Sequence, residues 1–403
     1  MSAPGQRGAA AFLMALSLVA AVGGFAWAEE STFGPAGAVA APPGWHGRYV
    51  AGIEMLTASP LFLHDANLTL SALHASTVYL YAAYQGQAFF PLPPLAQRDG
   101  LTEVAPVLAP DLAALRAEGF RVVLVVSSAL LDRATAPTAG QGLLQPGSDV
   151  VDPRRAAPLV AALVRTLAAY RPQAIYVGEP FDWPGDRPVP TAAWLAFYRR
   201  MRAASGHVPL VMLLPTVHDE YAPPAAAYGP GSLSRALAES GLFRAVGVDA
   251  EGMVGRAGVP PAVNRRWERT SPLAFARAAR RLGGGGALYE IPITDPYDLG
   301  GPPPPVSLVA RAVQSAERAR VRGIVVFADE YLGLYPPAQQ AEIGRLLAAF
   351  LSGPRRGSRA PHRPPGRARA EAAPPYPTSA GPPAARGTLL SPSPGTGTWR
   401  KAR

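Results

Sequence analysis

The feature that most constrains this chain is a rhythm. From Tyr49 to Ser352 short apolar runs alternate with segments carrying leucines at helical spacing, about eight times in roughly 300 residues. The runs centre on 49–56, 77–84, 121–128, 174–178, 208–214, 244–248, 286–290 and 323–328. Their β-branched and aromatic content suits a pleated surface, and near-continuous apolar runs are what buried parallel strands look like. Between them lie helix signatures with readable ends. Asp152-Pro153 caps and opens a helix that runs to Tyr170, Thr191 is expected to cap the next, and Ser232 and Ser271 open two more. Pro110 to Gly119, 305–322 and 336–351 complete the set, and Gly283 to Gly286 read as a tight turn before a strand.

That count and length predict an α/β fold, a (β/α)8 TIM barrel with a disordered basic C-terminal tail. A doubly wound open sheet is the competing architecture. Against it, no Gly-x-Gly-x-x-Gly follows the first strand and no P-loop lysine is present.

The expected organisation has four parts. Residues 1–28 read as a signal peptide: Arg7, an apolar stretch from about Ala9 to Val22, then Ala26-Trp27-Ala28 as a cleavage signature. The stretch is short for a spanning helix, and no later run is apolar enough to span a bilayer. A secreted or periplasmic protein without a membrane span after cleavage is therefore expected. Residues 29–48 form an extended lead-in, 49–352 the barrel, and 353–403 a disordered Pro/Arg-rich tail.

Charge sharpens this division. Of the net charge of +10, the tail carries +9, from ten Lys and Arg and one acid, and Arg7 of the leader the remaining +1; outside the two, 27 basic residues balance 27 acidic ones. A balanced body speaks against a folded nucleic-acid-binding face, and the tail suits acidic surface polymers. The absence of cysteine removes disulfides, thiolate metal sites and a cysteine nucleophile.

Barrel enzymes carry their chemistry where the strands end. Two apolar runs meet a glutamate there: Ala174-Ile175-Tyr176-Val177-Gly178-Glu179-Pro180 and Ala287-Leu288-Tyr289-Glu290. Around the same end the reading places Glu54, Tyr81, Asp182, Trp183, His218, Asp249, Glu251, Asp329 and Glu330 as substrate-binding groups. Glycoside hydrolysis needs such an inventory: one carboxylic acid to protonate the leaving oxygen, a second to attack or to activate water, and rings on which sugars stack. Each group also has a plain structural reading, Glu54 as a buried carboxylate, Trp183 as rim packing, Asp182 as a turn residue.

Glutamates ending strands four and seven of a barrel resemble those of the clan-A glycoside hydrolases, and Gly178-Glu179-Pro180 is similar to their strand-four Asn-Glu-Pro. The resemblance implies that Glu179 is the acid/base and Glu290 the nucleophile, acting on carbohydrate without metal or other cofactor. Gly178 stands where that family carries asparagine. Two further readings remain: a non-catalytic carbohydrate-binding or envelope-associated barrel, and a metal-dependent hydrolase built on His218 and the nearby acids.

Overall fold

Eight parallel strands, each followed by a helix, account for the chain between Tyr49 and Ser352. The computed structural model describes residues 47–84, 86–126, 152–178, 189–214, 228–248, 272–293, 303–327 and 329–353, with backbone alone at 285, 292 and 329–331. The strands are β1 (Tyr49–Met55), β2 (Thr77–Tyr84), β3 (Arg121–Val126), β4 (Ala174–Val177), β5 (Leu210–Leu214), β6 (Phe243–Val248), β7 (Leu288–Pro292) and β8 (Gly323–Phe327). The helices are α1 (Phe62–Ala72), α2 (Leu108–Ala117), α3 (Pro153–Ala169), α4 (Thr191–Ala204), α5 (Leu233–Glu239), α6 (Pro272–Gly283), α7 (Val306–Ala319) and α8 (Pro337–Ser352). Each strand pairs with its sequence neighbours, and β8 pairs back onto β1 with Tyr49 opposite Gly323. Closure removes every edge of the eight-stranded sheet, which is what distinguishes the barrel from the open-sheet alternative.

Side-chain caps explain two helix starts among the described residues. The Asp152 carboxylate accepts from the Arg154 amide at 2.9 Å, with Pro153 at the first helical position of α3. Ser232 caps α5 through the Arg235 amide at 3.1 Å. Thr191 is not a cap: Pro190 takes that place and Thr191 is the first residue of α4. Ser271 lies outside the described residues. The glycine run closes as a single 3-10 turn, Gly284–Gly286, ahead of β7.

One excursion departs from the simple rhythm. Between β2 and α2 the chain folds back as a two-residue strand, Gln87–Ala88, antiparallel to the end of β2. Thr102–Glu103 then pairs with Gln87–Ala88 in parallel, and a short helix, Pro94–Arg98, lies between the two. Phe89, Phe90, Leu92, Ala96 and Leu101 are buried, and the Leu92 amide is held by the Glu103 carboxylate at 3.2 Å. A stretch that the sequence suggests is a proline-rich loop is thus a packed wall beside the mouth of β2.

Two glycines set how the barrel interior fills. A Cβ on Gly323 would lie 2.5 Å from the Tyr49 ring, and one on Gly247 would lie 2.5 Å from the Leu288 Cβ and 2.7 Å from Leu213 Cδ2. Their bare backbones make room for larger neighbours on adjacent strands. Tyr49 and Leu288 therefore form a packed floor at the starts of β1 and β7, while Leu213 fills the interior one residue before the end of β5.

Candidate functional site

Strand register decides which side chains share the interior. Tyr79 on β2 and Tyr176 on β4 meet edge to face at 6.2 Å across an intervening strand, so both point into the barrel. Tyr289 points the other way, its hydroxyl donating to the Pro272 carbonyl of α6 at 3.2 Å. Successive strand residues face opposite sides, so Glu290 points inward. It pairs with Val325 and sits one inward step above Leu288 of the floor.

Glu290 is 3% exposed. The sequence pattern ends its run at this glutamate; in the structure β7 continues to Pro292, and Glu290 is its central residue, inside the barrel. Tyr79 is close enough for charge to be felt. Burial pushes the Tyr79 phenol up, the neighbouring Tyr49 phenol works against this, and the Glu290 carboxylate adds to it. Tyr49 of the floor, itself held up by burial first and by Tyr79 second, completes an interior group of two phenols and one carboxyl.

The other expected site residues divide three ways. Tyr81, two residues beyond Tyr79, shares its inward face and pairs with Met55 and Val125 nearer the mouth; it is half-buried. Glu54 lies on the opposite face of β1, in register with Leu80, and is 8% exposed on the helix-facing side. It is therefore not brought together with Glu290 and Tyr81. Asp329 and Glu330 open a 3-10 stretch, Asp329–Leu334, that leaves the mouth end of β8. Glu179, Asp182, Trp183, His218, Asp249 and Glu251 lie outside the described residues. Among the described residues no three His, Asp or Glu converge as a metal-binding group.

Three buried tyrosines bind the mouth ends of strands. Tyr84 donates to the Leu56 carbonyl just past β1 at 2.7 Å, and burial pushes its phenol up to about 12. Tyr198 of α4 donates at 2.7 Å to the carbonyl of Gly178, the residue joined to Glu179. Tyr335 lies within hydrogen-bonding distance of the Ile293 carbonyl at 2.9 Å and of the Pro304 carbonyl at 2.8 Å, which ties the end of β7 to the approach to α7. Tyr198 is itself wedged among Trp194, Phe197 and Phe243. The backbone at Gly178 and at Ile293, three residues beyond Glu290, is thus anchored by groups with few conformations to choose from. Tyr79 is legible in sequence as the period-2 partner of Tyr81. Tyr198 and Tyr335 look in sequence like ordinary helix and loop aromatics.

No family model matches the sequence, and no curated protein matches it. Solved structures do. The glycoside hydrolase domain of PgaB (BpsB) from Bordetella bronchiseptica aligns at 14% identity and a TM-score of 0.51, over 74% of this chain and 98% of that one. An α-L-fucosidase (isoenzyme 2) from Paenibacillus thiaminolyticus aligns at 14% identity with a TM-score of 0.48, over 75% of this chain and 49% of that one. A chitinase catalytic domain from Pyrococcus furiosus aligns at 12% identity with a TM-score of 0.44, over 76% and 97%. At these identities the likeness is one of fold. It agrees with a (β/α)8 barrel of the kind found in glycoside hydrolases.

Proposed function

We propose that this protein is exported and cleaves glycosidic bonds of a polysaccharide by a two-carboxylate mechanism. Glu179 acts as general acid/base and Glu290 as the second carboxylate. The observation that carries this reading is the placement of Glu290: a carboxyl held inside the barrel, beside Tyr79 and one inward step above the floor formed by Tyr49 and Leu288. In such a site the floor excludes water from one side, and a charge developing on substrate is met by a fixed carboxylate in a low-dielectric setting. Tyr81, on the same inward face nearer the mouth, offers a ring for sugar stacking and a hydroxyl for a sugar oxygen. The fold shared with the PgaB glycoside hydrolase domain supports the reaction class but does not choose a sugar.

The test is release of reducing ends from a panel of polysaccharides by the wild-type chain and by E179Q and E290Q. Each substitution is expected to lower the rate by about 10²–10⁴-fold, the usual size of a lost acid–base or nucleophile contribution. Wild-type activity in either glutamine variant would overturn the assignment.

The near-complete burial of Glu290 favours one alternative, a barrel that binds carbohydrate without cleaving it. In that case the wild-type chain would retain polysaccharide in a pull-down while releasing no reducing ends. E290Q would then alter stability rather than turnover.

A further inference from the structure

The balanced charge of the body hides a segregation that only the fold reveals. In a barrel of parallel βα units, all strands start and all helices end on one face, the base. Exposed arginines gather there. Arg171 lies just past α3, Arg200 near the end of α4, Arg281 in the last turn of α6, Arg318 and Arg320 at the end of α7, and Arg244 in the opening residues of β6. On the base α3 packs on α4, and α6 packs on α7 and β6, so the six charges form two groups, Arg171 with Arg200 and Arg244 with Arg281, Arg318 and Arg320, with α5 between them. Among the described residues the acids at this end are Glu118, Glu239 and Glu317. Glu239 is held by Arg235 at 2.6 Å, and Glu317 lies 3.9 Å from Arg48. Helix dipoles favour cations at helix ends. They do not account for Arg244, which opens a strand, or for the shortage of intervening acids.

We propose that the base of the barrel is a docking face for an anionic phospholipid surface. Two features select a bilayer over a polymer. The cations are distributed over several elements as a two-dimensional array instead of along a groove, and among the described residues none of the exposed large hydrophobics, Leu61, Leu68, Val104 and Leu334, is an aromatic ring. Both chain ends also meet this face: Gly47 and Arg48 lead into β1, and α8 ends at Ser352. The tail with ten Lys and Arg is therefore covalently joined to the side that carries the arginines. Docked this way, the barrel turns its mouth away from the bilayer. The inference is independent of the hydrolase reading.

The experiment is cosedimentation of the full chain with vesicles of phosphatidylcholine alone and of phosphatidylcholine with about 30 mol % phosphatidylglycerol, at about 0.1 M and 0.5 M NaCl. Wild type is expected to sediment with the anionic vesicles only and to be released by salt. The variant R171Q/R244Q/R281Q/R320Q is expected to lose at least about tenfold in partition, while the same four positions changed to lysine retain it. Single variants R244Q and R320Q, each at an exposed side chain, are expected to lose about fivefold and keep the test open if the fourfold variant fails to fold. Binding of the glutamine variants equal to wild type would assign the attraction to the tail and overturn the proposal. Retention on duplex DNA or an anionic polysaccharide, with none on vesicles, would overturn it equally.

Discussion

A single carboxyl shows how a residue's surroundings become a pH response. Asp111 sits in the first turn of α2, where the helix dipole favours a negative charge, yet burial pushes its pKa up to about 6. An unfolded aspartate titrates near 3.9. Between about pH 4 and about pH 6 the folded chain therefore binds more protons than the unfolded one, and stability from this group falls as pH rises through that window. D111N removes the ionisation. It is expected to raise the melting temperature at about pH 7 and to leave it nearly unchanged at about pH 3.5, where both states of the aspartate are protonated. Thermal unfolding at the two pH values decides the matter: a loss at about pH 7 larger than at about pH 3.5 would mean that the carboxylate is stabilising and that burial is not its dominant influence.

At the scale of the element, the strands depend on what their neighbours lack. Gly323 opens β8 where the Tyr49 ring lies across it, and Gly247 on β6 yields its space to Leu288 and Leu213. G323A and G247A are each expected to destabilise the protein by about 1–3 kcal/mol, because the added methyl meets a ring or branched side chain confined inside a closed barrel. Gly333, where a Cβ would have nothing within 4 Å, provides the control, and G333A is expected to cost little. Denaturant unfolding of the three variants checks this ranking; parity between G323A and G333A would mean that the floor can rearrange around a methyl group. The floor also matters to chemistry, since it lies one inward step below Glu290.

Across the whole molecule, the barrel is bound together near its two chain ends. Arg48 donates to the Phe350 carbonyl at 2.9 Å and lies 4.9 Å from the centre of the Phe350 ring, which joins the start of β1 to the last turn of α8. Residues 356–403 lie outside the described residues. Removing them is expected to leave the melting temperature within about 1 °C, whereas ending the chain before α8 strips Ile343, Leu347 and Phe350 from the core and prevents folding. Calorimetry of the two truncations is the measurement. A large loss from the shorter deletion would show that the tail takes part in the fold.

The sequence by itself determined the number and order of the strand–helix units and the cap at Asp152. These are local properties: strand runs, helical spacing and capping are written within a few residues of where they act. It read β2 correctly from Thr77 to Tyr84. It did not determine which way the strands face. A parallel barrel strand is buried on both sides, so no polar alternation marks its inner face, and Glu54 and Glu290 look alike until the register between distant strands sets them on opposite sides. Only the tertiary structure decided that Tyr79 and Glu290 share one interior, that Tyr198 and Tyr335 bind strand ends, and that a body with no net charge gathers arginines on its base. Each of these depends on groups far apart in the chain meeting in space, and composition carries no record of such meetings.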